Sequence, residues 1–110
     1  MAAYNSTNVR KGLLPMLVLS MLKEKDMYGY EMIKTIEKKS ESALKYNVGA
    51  LYPVLYHLEE DGQITETRVP HKKRMTHVVY HLEPAGEVLL KELQDEYYNV
   101  FDAVNKILDK

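Results

Sequence analysis

The chain has 110 residues, 45% of them hydrophobic and none of them cysteine. That is one domain with enough apolar side chains for a core, and it excludes disulfide scaffolds, cysteine-ligated zinc and thiol catalysis. The net charge of −1 is unevenly spread: residues 1–82 carry twelve basic and nine acidic groups, residues 83–110 three and seven. A basic body with an acidic end suggests a polyanionic partner on one side only.

Residues 1–9 are small and polar and read as a mobile arm. From Gly12 to about Lys25 the pattern is helical and apolar nearly all round, broken by Ser20, so this helix belongs inside. Pro15 fits its first turn, where a missing amide donor costs nothing. The run from Leu13 to Leu22 after Arg10 and Lys11 imitates a signal peptide, but no small-residue cleavage site follows. It is also too short for the about 20 residues that cross a bilayer. A cytoplasmic protein with no membrane partner is expected, and the sequon Asn5-Ser6-Thr7 reads as chance.

A second helix is expected from Tyr28 to Lys39, with Asp26 near its start and Tyr28/Met32 and Ile33/Ile36 facing inward. Ser40 to Tyr46 reads as a polar connection. The third helix starts at Asn47, a plausible N-cap, and ends at Gly62, a plausible C′ residue. Leu51, Val54, Leu55 and Leu58 form its core stripe, while Gly49, Tyr52, Pro53 and Tyr56 fall on the other side. The period then changes: Ile64 to Val69 and Met75 to Leu82 read as an antiparallel hairpin. Pro84 opens a last helix to about Asp109. The fold class is therefore mainly α with a small β-hairpin: a winged helix-turn-helix over residues 1–83 and a long helix over residues 84–110.

The hairpin tip and the third helix carry the chemistry. Residues 67–82 contain no acid, yet Arg68, Lys72, Lys73 and Arg74 are basic, as a wing that contacts phosphates requires. A recognition helix presents its N-terminal residues to bases, where Gly49 and Ala50 admit close backbone approach and Tyr52 and Tyr56 offer rings with hydroxyls. Both tyrosines would equally suit packing under the hairpin. Together with Asn47 and Pro53 these form the expected DNA-binding set. His77 and His81 share a strand face but are too far apart for easy chelation without a third ligand, so neither metal nor cofactor is expected. The sequence contains no recognised catalytic motif, and no enzyme is expected.

The last helix is longer than one small domain needs. Leu93, Tyr97, Val100, Val104 and Ile107 follow spacings of three and four, and Phe101 and Leu108 widen the stripe. A second chain is the expected cover, giving a homodimer. Tyr97, Tyr98 and Phe101 are candidates to line a pocket for a flat effector.

The run Gly49-Ala50-Leu51-Tyr52-Pro53-Val54-Leu55-Tyr56-His57-Leu58-Glu59-Glu60-Asp61-Gly62-Gln63-Ile64 resembles the signature of the PadR family of transcriptional regulators. Tyr28-Gly29-Tyr30-Glu31-Met32 resembles that family's second-helix start, and Tyr80-His81-Leu82-Glu83-Pro84-Ala85-Gly86 the end of its wing. The resemblance covers about residues 10–108 and fits the subgroup with a single C-terminal helix. It implies a dimeric winged-helix repressor on a pseudo-palindromic double-stranded DNA operator, released by small aromatic or amphipathic effectors. Carried over, Tyr28 and Tyr30 lie near phosphate, Gly49, Ala50, Tyr52 and Pro53 at the reading end, and Lys72 to Arg74 at the wing tip. Three departures stand out. Ala50 replaces a Ser/Thr, Glu83 replaces a helix-capping Thr, and the wing tip lacks the usual Gly/Pro-Arg character. A winged-helix module that binds protein and not DNA is the competing reading, and a small metal- or ligand-carrying protein a third.

Overall fold

The computed structural model describes residues 7–70 and 76–108. Its elements run α1 (Thr7–Glu24), β1 (Met27–Tyr28), α2 (Gly29–Lys39), α3 (Val48–Glu60), β2 (Ile64–Pro70), β3 (Thr76–Leu82) and α4 (Pro84–Leu108). The mainly helical class and the long last helix hold. No helix among the described residues is long and apolar enough to cross a membrane.

α1 is the centre of the core, as its all-round apolar sequence predicts: Leu14, Val18, Leu19, Met21 and Leu22 are buried, and it packs on α2, α3, α4 and β3. Its start differs from the expectation. The helix begins at Thr7, so residues 7–9 are helical rather than part of an arm, and Pro15 lies in the helix interior rather than its first turn. Proline cannot donate to the carbonyl four residues back. Here that residue is Lys11, which is exposed, so water can reach the unserved carbonyl. One residue earlier, the Arg10 carbonyl accepts the Tyr46 hydroxyl at 2.5 Å. Tyr46 is itself buried, so the segment read as a polar connection contributes a core residue.

α3 forms as the sequence predicts. Asn47 caps it through Oδ1, which accepts from the Ala50 amide at 2.9 Å. Gly62 takes φ +73° just past its end, a left-handed position that glycine fills without strain. Leu51, Leu55 and Leu58 are buried and Val54 packs against them; each buried leucine contributes about 1.5–3 kcal/mol. On α2, Met32, Ile33 and Ile36 are buried, but Tyr28 is not part of that inward face.

The expected hairpin gains a third strand. The sheet order is β1-β3-β2, all antiparallel, with Met27 opposite Tyr80 and Ile64 opposite Leu82. A two-residue strand is too short to carry a period, so it could not be read from the sequence. Asp26 does not cap α2; it pairs with His81 Nδ1 on β3 at 2.8 Å, and α2's N-cap is Tyr28 with no side-chain cap bond. His71, Lys72, Lys73 and Arg74 lie outside the described residues.

α4 docks on the body through Leu90 and Gly86, both buried, with Leu89 and Leu93 half-buried beside them. Glu83 does not cap α4 with its side chain. Its carboxylate accepts from the Thr65 hydroxyl at 2.7 Å, while its carbonyl accepts from the Gly86 and Glu87 amides. A methyl group on Gly86 would run into the Gln63 carbonyl oxygen and come within 2.5 Å of Leu82 Cδ1. That carbonyl is held by the Glu83 amide at 3.0 Å, so backbone would have to move. Gly86→Ala is therefore expected to destabilise by about 1–3 kcal/mol, as overpacking does. A urea midpoint equal to the wild type's would contradict this close packing.

Candidate nucleic-acid interface

One face of α3 holds the core, and the opposite face is open. Tyr52, Pro53 and Tyr56 are exposed there, Tyr56 at 61%, with Gly49 exposed at the helix start. Ala50 differs from its expected place: it is half-buried and packs on the core, because it sits one position before buried Leu51 and not on the outer stripe. Asn47 is committed to the cap through its oxygen, so only its amide NH2 remains to offer a ligand. Gly49 needs its small size, since a Cβ there would stand 3.3 Å from that same oxygen.

The outer face of α3 continues onto the β1–α2 junction. The Tyr52 hydroxyl lies over Gly29, where a Cβ would come within 2.6 Å of it, so only glycine lets the tyrosine lie there. Tyr28 is 37% exposed, with its ring tilted against His77 of β3 at 4.6 Å. Tyr30 is exposed, with the Lys34 ammonium 5.3 Å from its ring. Thus Tyr28, Tyr52 and the wing strand meet around one junction, while Tyr56 stands further along the helix. On β2, Arg68 is exposed and 3.9 Å from Glu66; an exposed contact of that length is worth little.

The distal half of α4 is apolar and open. Val100, Phe101, Val104, Ile107 and Leu108 are all exposed, Ile107 at 82%. Tyr97 is half-buried and stacks on Phe101 at 5.8 Å, and Tyr98 meets Tyr97 edge-on at 5.1 Å. Two clefts separate α1 from this stretch. One of about 290 Å³ is lined by Leu13, Leu17, Leu44, Tyr97 and Tyr98 among others. The other, about 220 Å³, is lined by Met16, Leu93, Tyr97 and Val100 with their neighbours. Phe101 lines neither; it supports Tyr97 from outside.

Residues 18–92 match the family model described as the transcriptional regulator PadR-like family. The chain belongs to this family. The matched stretch runs from within α1 to the first turns of α4, so it includes α3 and both strands of the hairpin in this PadR-like chain. A transcriptional regulator from Clostridium thermocellum is 28% identical, with 90% of this chain and 96% of that one superposed at a TM-score of 0.84. A PadR family transcriptional regulator from Eggerthella lenta is 27% identical over 94% of this chain and 88% of that one, at a TM-score of 0.81. The transcriptional regulator YqjI of Escherichia coli is 37% identical over 54 residues, which is 49% of this chain and 26% of that protein. These relatives are regulators and not enzymes.

Two contacts that reach the hairpin, Glu59 with Glu66 and Asp26 with His81, shift the groups they join. Burial, then a hydrogen bond to Glu66, then that group's charge push the Glu59 carboxyl on α3 from 4.5 to about 7. Burial and the charges of Glu59 and Glu66 also push the neighbouring Tyr80 hydroxyl to about 12. His81 is raised above 6.5 by its hydrogen bond to Asp26 and by that group's charge. Between pH 4.5 and about 7 the folded chain keeps a proton on Glu59 that the unfolded chain releases, so this stabilisation is full below 4.5 and is lost on rising through 7. The His81 contribution is full below 6.5 and is lost as pH rises past its raised value. Glu59 predicts stability falling between 4.5 and about 7, and His81 a further fall above 6.5. Glu59→Gln keeps a neutral donor to Glu66 and should flatten the decline in urea midpoint; a variant with the wild-type slope would contradict the Glu59–Glu66 pairing.

Proposed function

We propose that this PadR-like chain is a homodimeric repressor of transcription that binds a pseudo-palindromic double-stranded DNA operator. A small aromatic or amphipathic effector bound between subunits releases it. The observation that carries the DNA reading is the outer face of α3, where Tyr52, Pro53 and Tyr56 stand exposed on a helix whose other side is locked into the core. A rigid helix offering exposed rings and a glycine at its start suits entry into a major groove, which is about 12 Å wide. Lys72, Lys73 and Arg74 at the wing tip, with Tyr28 and Tyr30 at the start of α2, serve as phosphate contacts that position the duplex without reading it.

The homodimer is supported by the apolar distal half of α4, which none of the described residues of the same subunit covers. Val100, Phe101, Val104, Ile107 and Leu108 form its centre, and Tyr97 and Leu93, already half packed on their own subunit, its edge. The effector reading rests on the clefts beside Tyr97 and Tyr98, each below the roughly 300–1,000 Å³ of a complete small-molecule site. A partner's helix would close them. A ligand there can switch binding only by preferring one half-site spacing over another.

A gel shift on the DNA upstream of the protein's own gene, against random duplex and across a salt series, tests the proposal. A discrete complex that outlasts random-duplex binding as salt rises is expected. Equal binding to both, or none to either, would contradict it and favour a protein-binding module.

A further inference from the structure

A second basic site stands at the start of α3. A cleft of about 440 Å³ is lined by Arg10 and Lys11 of α1, by Lys45 and Tyr46 of the loop before α3, and by Asn47, Gly49 and Ala50. Among these lining residues are three cations and no carboxylate. Arg10 and Lys11 are distant in sequence from Lys45, and Tyr46 brings them together: its ring is buried, and its hydroxyl donates to the Arg10 carbonyl. The Arg10 charge also opposes the rise that burial imposes on the Tyr46 hydroxyl, which places the guanidinium near this clasp.

We infer that this cleft seats the DNA backbone, with Lys11 and Lys45 as its phosphate-contacting residues. The inference rests on the DNA-binding reading above and extends it to a second flank of the recognition helix. An α-helix with its side chains is about 10–12 Å across, close to the major-groove width, so a helix in the groove has a phosphate strand along each side. The wing serves one strand. The cleft stands at Asn47 and Gly49, the start of the reading helix, and offers its cations to the other. Lys11 and Lys45 are exposed, so their removal costs the fold little. Asn47 keeps its NH2 as a neutral donor beside the cap, and the lysine ammonium groups supply the charge-assisted bonds.

The test is the salt dependence of binding to a labelled random-sequence duplex, for the full-length wild type and for the Lys11→Ala/Lys45→Ala double variant. Far-UV circular dichroism confirms that the variant is folded. The slope of log K against log salt should fall by about two units per subunit, roughly 0.9 for each phosphate contact removed. A Lys11→Gln/Lys45→Gln variant should repeat the loss. If the wild type binds and both variants keep its slope, the inference is overturned and the DNA-binding reading stands. If the wild type binds no duplex at all, the DNA-binding reading itself fails and takes the inference with it. Inorganic phosphate is the second arm, titrated against the duplex complex at fixed ionic strength. Displacement from the wild type but not from the variants would mark a free-anion site and overturn the assignment to backbone; equal weak displacement supports it.

Discussion

Val100→Asp is expected to yield a monomer that keeps its helical content and loses operator affinity. Val100 borders the cleft beside α1 but is 49% exposed in the single subunit, so aspartate there should cost little intramolecular packing. In a dimer the same position faces its partner. Burying one valine contributes about 1.5–3 kcal/mol, and a two-fold contact counts it twice, so losing it and burying two carboxylates would dissociate the pair. Affinity falls with the dimer because a monomer engages only one half-site and loses the effective concentration of its linked partner. Val88 supplies the control. It is also exposed and also on α4, but twelve residues away, about 120° around the helix from Val100 and opposite Tyr97. Val88→Asp should remain dimeric. Sedimentation equilibrium decides: a tight Val100→Asp dimer would remove the distal helix as the interface and leave the effector without its proposed site.

Tyr56→Ala is expected to weaken operator binding by about 1–3 kcal/mol, roughly 5–150-fold, and random-duplex binding far less. At 61% exposed and with His57 as its ring neighbour at 6.0 Å, Tyr56 contributes little to the fold, so melting should barely change. Tyr52 is a mixed case. It is 45% exposed, but its hydroxyl rests on Gly29. Tyr52→Ala should therefore lose both stability and affinity, while Tyr52→Phe should keep most of the packing and show the hydroxyl's share of DNA binding. If Tyr56→Ala melts early and binds normally once folded, the ring belongs to the core and the reading face is wrong.

The fold was legible wherever periodicity ran long enough. The stripe Leu51, Leu55 and Leu58, the Asn47 cap and the Gly62 stop mark α3 from sequence, because each is a local rule with a local residue. The hairpin showed through its alternation. What failed was non-local. Met27-Tyr28 is strand only because β3 offers an edge to pair with, and Asp26 left helix α2 for a histidine fifty-five positions away. Pro15 read as a helix start because proline usually marks one. The helix runs through it because α1 is held from every side by burial.

The candidate site was legible in outline for the same reason. Tyr52, Pro53 and Tyr56 follow from the helical period once Leu51 is assigned to the core. Ala50 follows from the same period, four residues before Val54 and eight before Leu58, and its inward turn could have been read there. Arg10, Lys11 and Lys45 were missed as a group. In sequence they are ordinary surface charges, and only the Tyr46 clasp brings the first two beside the third. The signal available was the aromatic in a supposedly polar connection: a tyrosine at such a place needs a partner for its hydroxyl.

The most direct measurement is a hydroxyl-radical footprint of the full-length protein on the DNA upstream of its own gene. A dimer with one recognition helix per subunit predicts two protected patches related by two-fold symmetry, with centres one helical turn, about 34 Å, apart. It also predicts that Val100→Asp abolishes both patches together. One patch without a symmetric mate, or uniform protection along the fragment, would contradict a dimeric operator-binding regulator.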